Sequence, residues 1–71
     1  MTAYVDDKGR RLFVSSGIGR DIFMTFWRKP TGSLKRLVSK AVPPRPSREQ
    51  AQADLDQLAA RRGWKGEPDD R

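Results

Sequence analysis

The 71-residue sequence contains no cysteine and no histidine. Without cysteine there is no disulfide framework and no thiol nucleophile, and without either residue a structural zinc site loses its usual ligands. Losing histidine also removes the commonest general base at neutral pH. No apolar run approaches the roughly 18–20 residues of a membrane span, and nothing at the start reads as a signal peptide. The expectation is therefore a cytoplasmic chain with no membrane partner, no metal and no cofactor. Calcium-loop spacing is absent as well.

What the sequence has is charge, unevenly placed. Fifteen Lys and Arg stand against nine Asp and Glu, a formal net charge of +6. Residues 1–46 carry ten basic against three acidic side chains, or +7, and residues 47–71 carry five against six, or −1. Clustered cations favour a polyanionic partner, because binding releases counterions from a phosphate backbone. The plainer role of such charge is solubility.

Arg10–Ser15 is short, partly β-branched and aromatic, and reads as a strand. Asp6-Asp7-Lys8-Gly9 before it is a turn sequence, so Tyr4 and Val5 are expected to form a short partner strand. Ser15-Ser16-Gly17-Ile18-Gly19 reads as a flexible connection. Asp21–Lys29, with Ile22, Phe23, Thr25, Phe26 and Trp27, carries the strongest strand signal. Lys29-Pro30-Thr31-Gly32 is a turn with Pro second and Gly last, suited to a three-residue hairpin loop with a bulge at Gly32. Residues 33–42 form the returning strand, and each cross-strand pair then sums to 62.

Val42-Pro43-Pro44-Arg45-Pro46 is an extended connector, since its three prolines lack three backbone donors. Pro43 to Arg48 also matches a PxxPxR ligand pattern, for which a stiff connector is the plainer account. Ser47 with Gln50 has the spacing of a capping box opening a helix over Arg48–Arg62. Ala51, Leu55, Leu58 and Ala59 form its apolar stripe. Gly63 supplies a left-handed stop, with Trp64 folding back on the helix. The expected architecture is α+β: a three-stranded antiparallel sheet, with a short extra N-terminal strand, packed on one C-terminal helix. It occupies residues 1–64 as one small domain, and residues 65–71 are expected to be a disordered tail.

One helix covers one sheet face. The hairpin register groups Ile22, Met24 and Phe26 with Leu34 and Val38, and this face, joined by Leu12 and Val14, is the expected core. The opposite face, with Phe23, Trp27 and Leu37 beside Lys29, Lys35, Arg11 and Phe13, would then be open. The inverted arrangement puts Trp27 in the core and exposes Phe26 and Arg36. Either way a basic, partly apolar sheet face stays uncovered, and such patches mark interaction sites. No constellation supports catalysis: the serines have no histidine, the paired aspartates sit in a turn and a tail, and Gly17-Ile18-Gly19 is a fragment of a phosphate loop without its helix.

Phe26-Trp27-Arg28-Lys29, Gly32, Leu34-Lys35-Arg36 through Lys40, and Pro46-Ser47-Arg48-Glu49-Gln50-Ala51 together resemble the AP2-like arm-type DNA-binding domains of phage and transposon integrases. That resemblance implies a sheet entering the major groove and contacts from Arg28, Lys29, Lys35, Arg36 and Lys40, with Trp27 nearby. The leading expectation is a non-enzymatic nucleic-acid-binding module, phage- or mobile-element-related, using Arg11, Trp27, Arg28, Lys29, Lys35, Arg36 and Lys40, with DNA ahead of RNA. The alternative is a protein-interaction module or homodimer joined through Phe23, Trp27 and Leu37. A third reading is a structural accessory with no ligand.

Overall fold

Alternating β-branched and aromatic residues, two glycine turns and one capped helix produce an α+β fold. The computed structural model describes residues 2–16 and 21–68. The strands are β1 (Thr2–Val5), β2 (Arg11–Ser16), β3 (Phe23–Arg28), β4 (Leu34–Arg36) and β5 (Lys65–Pro68), and the helix α1 spans Arg48–Arg62 between β4 and β5. The five strands form one antiparallel sheet in the order β4-β3-β2-β1-β5. Gly17-Ile18-Gly19 and residues 69–71 lie outside the described residues.

Both tight hairpins use the same loop. In the first, the Asp6 N–H donates to the Arg10 carbonyl at 3.1 Å and the Gly9 N–H to the Asp6 carbonyl at 3.1 Å. In the second, the Lys29 N–H donates to Ser33 at 2.9 Å and the Gly32 N–H to Lys29 at 2.8 Å. Gly9 (φ 78°) and Gly32 (φ 100°) take the left-handed conformation that closes each bulge. The second hairpin pairs Phe26 with Arg36, Trp27 with Lys35 and Arg28 with Leu34, the register expected from its Pro and Gly.

The helix also forms as its sequence dictates. The Gln50 N–H donates to Ser47 Oγ at 3.1 Å, and Gly63 (φ 72°) ends the helix with its N–H on the Ala59 carbonyl. Ala51, Leu55, Leu58 and Ala59 are its buried residues. Three side-chain bonds fix α1 on the sheet and connector. The Tyr4 hydroxyl donates to Asp56 at 2.6 Å, Gln52 Nε2 to the Thr2 carbonyl at 2.9 Å, and Arg45 Nε to Asp54 at 2.7 Å. The bond to Asp56, then burial, pushes the Tyr4 phenol up to about 12.

Three expectations need correction. First, the faces are inverted. Phe23, Trp27 and Leu37 pack against the core of Leu12, Val14, Val42, Ala51, Leu55 and Leu58, whereas Ile22, Leu34 and Val38 are exposed. The cause is the β2–β3 register. Leu12 lies opposite Trp27 and Val14 opposite Thr25, so the apolar residues of β2 share a face with the odd-numbered residues of β3. Second, the returning strand spans Leu34–Arg36 rather than 33–42. The Ser39 hydroxyl accepts from the Ala41 N–H at 3.2 Å, which turns the chain out of the sheet. Val42 then drops into the core, and pairing with β3 resumes as a single bridge between Phe23 and Arg45. Third, residues 65–68 are not a tail but β5, paired along the whole of β1 from Val5↔Lys65 to Thr2↔Pro68.

Thr25 sits under the helix at 1% exposure, and its hydroxyl has no hydrogen-bond partner among the described residues. A buried, unpaired hydroxyl costs free energy that a methyl of similar shape does not. Thr25→Val is expected to stabilise the fold by about 1 kcal/mol. A urea midpoint that falls rather than rises would show that the hydroxyl is satisfied.

Candidate functional site

Strand alternation gives the sheet two unlike faces. α1 covers the face formed by Leu12, Val14, Phe23, Thr25 and Trp27. On the other face β2 presents Arg11, Phe13 and Ser15, β3 presents Met24, Phe26 and Arg28, and β4 presents Leu34 and Arg36. α1 lies on the opposite side from this second face, on which Ala3 and Phe13 are nonetheless buried, while Leu34, Arg36, Lys65 and Glu67 at its two margins are exposed.

Its geometry is aromatic at the centre and cationic around it. Phe13 and Phe26 are direct cross-strand partners with ring centroids 6.2 Å apart and planes inclined by 29°. The Arg28 guanidinium lies 6.0 Å over the Phe13 ring. Phe13 is buried, Phe26 is half-buried, and Leu34 is 51% exposed. Arg28 pairs across the ladder with Arg11 on one side and Leu34 on the other, and Arg36 lies opposite Phe26. Arg28 Nε is shielded from solvent and has no acceptor among the described residues. The Glu67 carboxylate on β5 is 3.7 Å from Arg11. Both of those side chains are more than two-fifths exposed, so solvent screens the pair and it contributes little.

The expected site residues thus divide. Arg11, Arg28 and Arg36 come together on the open face. Trp27, Lys29 and Lys35 belong to the helix side of the sheet, at its hairpin-loop end. There Trp27 lies 4.9 Å beneath the Arg10 guanidinium and 5.7 Å from Lys29 Nζ, with Lys35 across the ladder. Lys40 is exposed in the turn after β4 and joins neither group. Phe23, Trp27 and Leu37, the expected protein interface, are half-buried against the core and do not form an open patch.

Phe26 is the central open-face residue that the preferred orientation put inside. Arg10 was not anticipated as a partner of Trp27. Its signal was positional: Asp6 and Arg10 flank the same three-residue loop, and the Asp6 carboxylate accepts from Arg10 Nε at 2.6 Å, from the Arg10 N–H at 2.9 Å and from the Lys8 N–H at 3.0 Å. Burial pushes the Asp6 carboxyl up, but these donors and the Arg10 charge outweigh it and hold the group below its ordinary value.

A groove of about 770 Å³ lies on the helix side, between Leu37, Leu58, Arg62 and Trp64 and the first hairpin loop. Its volume suits a small ligand. Its rim mixes Lys8, Arg10, Arg62 and Lys65 with Asp6, Asp7 and Glu67, so it presents no field of one sign. The other sheet face groups Arg11, Arg28 and Arg36 on adjacent strands, with Lys65 and Glu67 together at its β5 margin. Among the described residues, no helix is long and apolar enough to cross a membrane. Comparison with protein-family models, curated proteins and solved structures finds no match.

Proposed function

We propose that the chain is a small, non-enzymatic nucleic-acid-binding module that engages its partner through the open sheet face. The observation that carries this reading is the direct cross-strand pairing of Arg11 with Arg28, with Arg36 one strand further on the same face. Like charges placed opposite each other destabilise a sheet, so the Arg11–Arg28 pairing itself does not stabilise the fold. A chain of phosphates would turn that repulsion into attraction, and arginine is suited to bidentate phosphate contact. A symmetric homodimer through the same face would instead oppose arginines with arginines. A protein partner would therefore need an acidic surface. The basic strands and Ser-capped helix that resemble arm-type domains support the same function and a mobile-element setting, and a cytoplasmic location agrees with a nucleic-acid partner.

Titration of labelled DNA and RNA at several salt concentrations tests the reading. Binding is expected at about 50 mM salt and should weaken as salt rises. Replacing Arg28 and Arg36 together by Ala is expected to cost about tenfold or more in affinity, since each charge-assisted contact is worth more than a neutral one. Arg62→Ala, on the helix side, should change little. No binding at low salt, or equal binding by the double variant, would overturn the proposal. A stable dimer in sedimentation, unaffected by added nucleic acid, would favour the protein-interaction reading.

A further inference from the structure

We infer that the nucleic acid bound on the open face is single-stranded; this rests on the nucleic-acid reading above and specifies its substrate. Adjacent strands are about 4.8 Å apart, so a three-stranded sheet is roughly 10 Å wide and fits a major groove about 12 Å wide. This sheet has five strands, β4-β3-β2-β1-β5. Four steps make it roughly 19 Å wide, too broad for its face to enter that groove.

The charge pattern points the same way. Arg11, Arg28 and Arg36 lie on β2, β3 and β4, whereas the β5 margin carries Lys65 and Glu67 together on that face, opposite Val5 and Ala3, and so has no net charge. A duplex pressed across the full width would gain no net attraction from that margin. A single strand laid over β2–β3–β4 avoids it. The centre of this track is the Phe13–Phe26 pair, and the half-buried Phe26 ring offers a face to an unpaired base. Bases inside a duplex are already stacked on one another and cannot use it. Aromatic platforms flanked by cations are the means by which proteins hold single strands.

The experiment compares an oligo(dT) strand, an oligo(U) strand and a mixed-sequence duplex, each of about 12 nucleotides or base pairs, by fluorescence anisotropy. One of the single strands is expected to bind at least about tenfold tighter than the duplex, because one base stack contributes that much. The slope of log K against log salt should be about −2 for three neutralised phosphates, and Arg36→Ala should reduce its magnitude by about 0.7. Phe26→Ala should weaken single-strand binding about fivefold or more while duplex binding changes by less than about twofold. Arg36 is exposed on an edge strand, so its variant reports on the track even where Phe26→Ala perturbs folding. A duplex bound as tightly as either single strand overturns the inference and leaves the nucleic-acid reading standing. Failure of all three probes to bind overturns both.

Discussion

Leu55→Ala is expected to lower stability by about 3–4 kcal/mol, the upper half of the range for truncating a buried leucine. Leu55 is fully buried, at 0% exposure, and forms the centre of the cluster with Leu12, Val14, Val42, Ala51 and Leu58. The sheet and helix backbones on either side limit how far the site can collapse, so most of the cavity would persist. A chain of this length has roughly 4–10 kcal/mol in all. The loss corresponds to a fall of roughly 12–32 °C in melting temperature, readable by circular dichroism. At the weaker end of that range the variant would be largely unfolded at 37 °C. Melting within about 2 °C of the parent would mean that Leu55 is not the packing centre.

Asp6→Ala is expected to cost about 2–4 kcal/mol, although it changes a loop residue. The Asp6 side chain is 1% exposed and accepts from the Lys8 and Arg10 backbone N–H groups and from Arg10 Nε. Alanine leaves all three donors without that acceptor and frees the Arg10 guanidinium from its place over Trp27. Asp6→Asn keeps one acceptor oxygen and should cost less. The pH dependence has a definite sign. The folded-state carboxyl is held below its ordinary value, so its contribution is complete above about pH 4 and is lost as pH falls through the lower, folded-state value. Denaturant midpoints from pH 6 to pH 2 should therefore fall less steeply for Asp6→Ala than for the parent. Parallel curves would show that Asp6 does not titrate differently on folding.

The parts legible in the sequence are those set by local chemistry. Pro30 and Gly32 fix a loop length, and the loop length fixes the register of β3 on β4. Ser47, Gln50 and Gly63 fix both ends of α1, and four apolar positions fix its buried stripe. What was not legible depends on pairings made at a distance. Ser16 lies opposite Phe23 across a connection of even length, so odd-numbered residues of β3 join even-numbered residues of β2. No local propensity distinguishes an even connection from an odd one, and that single parity decides whether Phe26 or Trp27 faces solvent. Lys65-Gly66-Glu67-Pro68 has neither apolar alternation nor β-branched residues. It becomes a strand because β1 offers a row of backbone donors and acceptors that nothing else fills. For the site, the basic sheet face was legible as a class, and Arg11, Arg28 and Arg36 belong to it. Trp27 and Lys35 do not, for the same reason of parity.

The pairing of β5 with β1 has a topological consequence. Thr2 and Pro68 are direct ladder partners, so the first and last described residues lie side by side at one edge of the sheet. The chain is nearly a ring, closed by hydrogen bonds instead of a peptide bond. The order of its elements is then close to cyclic: a short covalent bridge between the ends and a cut in the Pro30-Thr31-Gly32 loop would give a circular permutant with the same sheet and an unbroken β5–β1–β2–β3 segment. In that form the strands bearing Arg11 and Arg28 would stay contiguous, and Arg36 would enter from the new beginning of the chain.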